Sequence, residues 1–148
     1  MTSNTTKNLH RVSAIGAMLT ICSYLISSLV AEISTNFTLI YRVKAYLVLS
    51  LPLLIIFMML TVFSGQRIGN PNHPVVKRKL RRLKIIGANG TMLVILAVVL
   101  YLKASRGGFD STFWILQAIE LIFGFSNIVL MVAMAVDGMR LSGRIKKI

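Results

Sequence analysis

The side chains most able to do chemistry lie together on one apolar stretch. Gln117, Glu120, Gly124 and Asn127 follow one another at spacings of three, four and three, which puts them on one face of a helix. Glu120 is the only charged residue between positions 112 and 136, and at 1.5 Å per residue it sits about 12 Å inside that helix. An ionised carboxylate at such depth in a bilayer is expensive, so it must face other helices and be either protonated or partnered. Two roles fit the stripe. It joins packed helices as polar glue, in which case glutamine is tolerated at 120, or it forms a proton or ion route or a polar ligand pocket in which Glu120 titrates.

Possible partners are identified by depth. Ser27, Ser28, Tyr46 and Ser50 fall at levels similar to Glu120, and the long side chain of Lys44 can reach down to it. Nearer the opposite end, Asn89 and Asn127 are expected to hydrogen-bond across a helix pair. Small residues at spacing four (Ser23, Ser27, Ala31; Gly87, Thr91) permit close backbone approach, within the chain or between copies. Asp137 and Arg140 are expected to form an exposed pair on one helix.

Catalytic templates are missing. The sequence has no HExxH, no Gly-x-Ser-x-Gly, no P-loop and no clustered metal-ligand set, so no catalytic residue, metal or cofactor is expected. The lone Cys22 permits no internal disulfide and is expected to be a small buried residue. The two histidines, His10 and His73, are expected at the interface or in solvent.

The elements that must position these residues are long and apolar. With 55% hydrophobic and 14% charged residues and a mean hydropathy of +0.76, the 148 residues lie outside the range of soluble domains. Four spans are expected, at about 12–31, 41–63, 85–102 and 112–136, as one membrane domain with a basic loop at 64–84. The first is too long for an ordinary signal-peptide core and is expected to be retained. Pro52 should kink the second span. Phe113 and Trp114 are expected as interfacial aromatics at the entry to the fourth.

The net charge of +13 sits in the gaps between spans, which is a topology signal and not the mark of a nucleic-acid partner. The N-terminal segment, central loop and tail hold thirteen basic residues against four on the other side, so both termini are expected in the cytoplasm. Lys77, Arg78, Lys79, Arg81, Arg82 and Lys84 form a patch suited to anionic lipid heads. The fold expected is an all-α, antiparallel four-transmembrane-helix bundle, N-in and C-in.

Two resemblances follow from residues already named. LHRVSAIGAM, opening the first span, resembles the Leu-His-x-x-Ser-Ala start of the first helix of cytochrome b561-type proteins over about six residues. Haem held by two histidines needs a second one inside the bundle, and spans two to four contain none. The C-terminal half, from Lys79–Arg82 through Asn89-Gly90, Phe109-Asp110, Gln117, Glu120-Leu121, Gly124, Asn127 and Asp137-Gly138, resembles small uncharacterised four-span bacterial membrane proteins. That resemblance implies a fold and a bacterial inner membrane, and no activity. The functional expectation is a non-catalytic accessory subunit working through helix contacts with itself or other membrane subunits. The alternatives are a small proton-coupled carrier using Glu120, and a haem or quinone protein completed by another subunit.

Overall fold

The computed structural model describes residues 4–68 and 74–141. His73 and the basic Arg144, Lys146 and Lys147 lie outside them. Four helices follow in order: α1 (Asn4–Ile33), α2 (Phe37–Ile68), α3 (Pro74–Ser105) and α4 (Ser111–Leu141). Each is long and apolar enough to cross a membrane. At 30 to 32 residues they exceed the roughly 20 residues that a hydrocarbon core requires. Their ends therefore carry polar turns beyond the apolar windows, which is why they outrun the expected spans. The basic stretch 77–84, expected within a loop, is the helical first part of α3, and α2 runs through Pro52 without interruption.

Two tight turns make two antiparallel hairpins. α1 stops where Thr35 enters the left-handed region at φ 52°, and Asn36 starts α2 by accepting the Leu39 N–H on its Oδ1 at 3.1 Å. α3 stops at Gly107, whose φ of 69° suits a residue without Cβ. There the Gly108 N–H bonds Lys103 O and the Gly107 N–H bonds Ala104 O, the paired closure of a Schellman motif. Asp110 then caps α4 through the Phe113 N–H at 2.8 Å and holds Lys103 Nζ at 3.0 Å.

The helices form a ring in chain order. α1 packs on α2, α3 on α4 and α2 on α3, while α1 and α4 close the ring through the slimmest contact. Under the hairpin turns, Ala31, Ile40, Leu100, Ala104 and Phe113 make an apolar plug. Aromatic contacts of Phe109 with Phe37 at 4.5 Å and with Phe113 at 5.1 Å cover it. Phe113, expected at an interface, is fully buried here, and Trp114 beside it stays partly exposed. The reason is helical phase: Phe113 lies four residues before Gln117 and seven before Glu120, on the same inward face of α4, and Trp114 is one position further round.

Elsewhere the bundle is inverted. The inward face of α4 carries Gln117, Glu120, Gly124, Asn127 and Asp137, while Ile115, Ile122, Phe125, Val129 and Val132 point outward. Only 11% to 22% of each helix's most apolar window is buried, so the chain's apolar surplus faces its surroundings. Cys22 is half-buried. Gly87 and Thr91 also lie outside, with nothing within 4 Å of a Cβ built at Gly87, so that pair of small residues does not pack within the chain. Ala31 does, inside the plug.

The Asp110 cap is titratable. The Lys103 hydrogen bond, followed by the Phe113 N–H, holds its carboxyl below the usual range. A group depressed on folding contributes stability above its unfolded pKa and loses it as pH falls through the folded value. Asp110→Ala should therefore lower the thermal midpoint at neutral pH, with the gap from the parent closing as pH drops below the carboxylate range. Circular dichroism melts at a series of pH values check this.

Candidate functional site

The polar face of α4 meets side chains from the two helices of the first hairpin. Lys44 is 1% exposed, and its Nζ donates to Glu120 Oε2 at 2.5 Å and to Ser28 Oγ at 3.1 Å. Gln117 Nε2 donates to the same Glu120 oxygen at 3.0 Å. α2 and α4 do not neighbour one another in the ring, so the ion pair crosses the bundle diagonally on the length of the lysine side chain. Ile40 and Phe113, one helical turn from Lys44 and Gln117, belong to the plug that seals this pole.

A second carboxylate stands beside the pair. Glu32, at the end of α1, lies within electrostatic range of Lys44 and Glu120 and adjoins Gln117. Its Oε1 and the Oε1 of Gln117 are both buried without a donor. The sequence reading missed Glu32 because it falls one residue beyond the expected end of span one. Its spacing of four from Ser28 was the available signal, since that places both on one helix face.

Of the expected neighbours, Lys44 reaches Glu120, Ser28 joins it by accepting from the same ammonium, and the others do not. Ser50 accepts a hydrogen bond from Tyr24 at 2.8 Å, and Tyr46 packs edge-on against Tyr24 at 6.0 Å. The expected Asn89–Asn127 bond is not formed. Asn89 Nδ2 donates instead to Ser126 Oγ at 3.4 Å, and Asn127, 2% exposed, leaves its Oδ1 without a donor. Asn127 lies one position further round α4 than Ser126, and this rotation turns it into the bundle centre. There a cavity of about 100 Å³ extends from Glu120 to Asn127 between walls that include Leu25, Leu47, Leu51 and Val94.

Polar latches close the other end of each hairpin. Asp137, expected to pair with Arg140 in solvent, is 4% exposed and accepts from Arg78 Nη2 at 3.0 Å and Arg82 Nη1 at 2.6 Å. Its position on the inward face of α4 puts it opposite α3 and away from its own helix surface. Within the basic patch, Arg78 and Arg82 are thus engaged, Lys79 is half-buried with Nζ near Gly138, and Lys77, Arg81 and Lys84 are exposed. His10, expected at the interface or in solvent, is half-buried between α1 and α2. Its Nδ1 lies 3.0 Å from Thr61 O and 3.1 Å from Ser64 Oγ, and Thr61 donates to Ser13 at 3.1 Å.

The arrangement can neutralise charge, join helices and hold a polar or small ligand. Among the described residues no group of three or more His, Cys, Asp or Glu is placed to hold a metal. No protein family, curated protein or solved structure matches the chain.

Removing one partner of a buried ion pair leaves the other charge stranded, at a cost of about 3–5 kcal/mol. Glu120→Gln should therefore destabilise the bundle by that order, where the polar-glue reading of the sequence expected glutamine to be tolerated. Lys44→Met with Glu120→Met should recover most of the loss, because both charges leave together. Unfolding midpoints of the three variants in mild detergent measure it.

Proposed function

We propose that this chain is an integral membrane protein with both termini in the cytoplasm, acting as a non-catalytic accessory subunit through lateral helix contacts in a bacterial inner membrane. The observation that carries this reading is the inversion of the bundle. The charged groups buried in it, Lys44, Glu120 and Asp137, are drawn inward and paired, while most of each helix's apolar window faces away from the bundle. A surface of that kind suits lipid and neighbouring helices. Gly87 and Thr91, outward and uncovered, offer a place where another helix can approach closely. The basic excess at the terminal end supports the orientation, and exposed Lys77, Arg81 and Lys84, at spacings of four and three on one helix face, suit anionic lipid heads. Arg78, Arg82 and Lys79 take part in that patch less directly, since they serve the contact with α4.

Glu120 is the weaker candidate for a titrating carrier group, because its carboxylate already holds an ammonium. One observation does favour the carrier reading. The hairpin-end pole has two carboxylates, Glu32 and Glu120, for the single ammonium of Lys44. On that reading Glu32 supplies the exchangeable proton. Glu32→Gln should leave assembly intact and change no proton flux in proteoliposomes; abolition of a pH-driven flux would turn the assignment to a carrier.

Native mass spectrometry of the tagged chain, gently extracted from its own membrane, is the direct test. Stoichiometric partner chains are expected, and recovery of the chain without any partner overturns the accessory role. The triple change Lys77→Gln, Arg81→Gln, Lys84→Gln should reduce the anionic lipids retained, most clearly at low salt.

A further inference from the structure

The central cavity is apolar along its walls and polar at its two poles. Glu120 and Asn127 both line it, seven residues and so about 10 Å apart along α4. Toward the hairpin pole the polar groups that line the cavity are engaged: Glu120 and Ser28 hold Lys44, and the Tyr24 hydroxyl donates to Ser50. At the other pole Asn127 is 2% exposed and its Oδ1 has no donor. Buried polar atoms rarely go unpaired in folded proteins, and an unpaired amide is costly. If the amide is turned about its last torsion, the unpaired acceptor is exchanged for an unpaired donor. A hydroxyl is both donor and acceptor, and satisfies the amide in either orientation.

The space around Asn127 suits an organic body better than water. A buried water needs two to four polar partners, and the cavity lining contributed by α3 is Ile86, Gly90, Leu93, Val94 and Ala97, without a polar side chain. A Cβ built on Gly90 meets no atom within 4 Å, so the cavity side of α3 is open there. A volume of about 100 Å³ is of the order that accepts a single small ring, since an engineered apolar cavity of about 150 Å³ takes up benzene. Access follows from the ring of helices. α1 and α4 share its slimmest contact, and along that seam runs an apolar groove lined by Leu25, Leu29, Leu121, Ile122 and Phe125. Leu25 and Leu121 also line the inner cavity, so one layer of side chains separates the two.

We infer that this cavity is a binding site for a small apolar molecule bearing a hydroxyl group, a phenol or ring alcohol, which enters through the α1–α4 seam and hydrogen-bonds Asn127. The body of the molecule lies along Leu47, Leu51 and Val94. The site is independent of the accessory role and of the Glu32 and Lys44 charges.

The test compares two probes of nearly equal shape, 4-fluorophenol and 4-fluorotoluene, by fluorine NMR with the full chain in lipid nanodiscs. Saturable phenol binding is expected in the parent protein, about tenfold or more weaker in Asn127→Leu, where the hydrogen bond is lost. The toluene should bind Asn127→Leu at least as well as the parent. Gly90→Leu, whose Cβ meets no neighbour within 4 Å and whose larger side chain takes up cavity space, should abolish both. Equal phenol signals from the parent, Gly90→Leu and empty nanodiscs would overturn the site, as would equal affinity of the parent for the two probes.

Discussion

The diagonal between Lys44 and Glu120 is the constraint on which the bundle depends. The two hairpins are each self-contained, with their own turn, caps and terminal latch. What fixes one hairpin against the other at the turn end is an ammonium and a carboxylate that have left water and cannot separate without stranding a buried charge. Because α2 and α4 stand at opposite corners, the pair sets the rotation of both helices at once. Lys44 must face the axis, which aligns Ile40 and Leu47 inward with it on α2. Glu120 must do the same, which carries Phe113, Gln117, Gly124 and Asn127 inward on α4.

That rotation explains why the interior holds polar groups where a soluble bundle would hold leucine. In water, burial of apolar surface drives helices together. With apolar surroundings that drive is absent, and association relies on packing, close approach of small residues and hydrogen bonds. The two hairpin contacts each have such a device. His10 and Ser13 on α1 meet Thr61 and Ser64 on α2, and Arg78 and Arg82 on α3 meet Asp137 on α4. At the α1–α4 seam Glu32 adjoins Gln117, and deeper along it Gly124 faces Leu25 across 3.7 Å from an imagined Cβ. The seam is the slimmest of the four helix contacts, and Leu25 and Leu121 beside it also line the cavity.

The helical count, the antiparallel order and the shared face of Gln117, Glu120 and Asn127 were legible because each is a matter of local periodicity. Helix ends were less so. Apolar windows mark where a chain favours hydrocarbon, while the helices continue until Thr35 and Gly107 break them, so Glu32 and the basic segment 77–84 were assigned to loops or edges. Partner choice was the least legible part. Depth alone selected Ser27, Ser28, Tyr46 and Ser50 equally, and it could not separate Asn127 from Ser126 as the partner of Asn89. Those outcomes depend on the rotation of each helix about its own axis, which is set by contacts far apart in sequence. Asp137 shows the same limit. Arg140 is three residues away on its own helix, yet the carboxylate pairs with α3, because a buried acid gains more from two forked guanidinium groups than from an exposed neighbour.

The acids also show how tightly charge is managed. The chain has four acidic residues against seventeen basic ones, and three of the four, Asp110, Glu120 and Asp137, hold a cation. Glu32 alone, among the described residues, has none within ion-pair distance, although it adjoins a buried lysine already claimed by Glu120. An interior lysine with one carboxylate is a clamp. With a second carboxylate close by, the ammonium has two alternative partners on α1 and α4, the two helices whose mutual contact is weakest. Movement of the ammonium toward Glu32 would strand Glu120 in its place, so Lys44 holds α1 and α4 to α2 from a position between two acids.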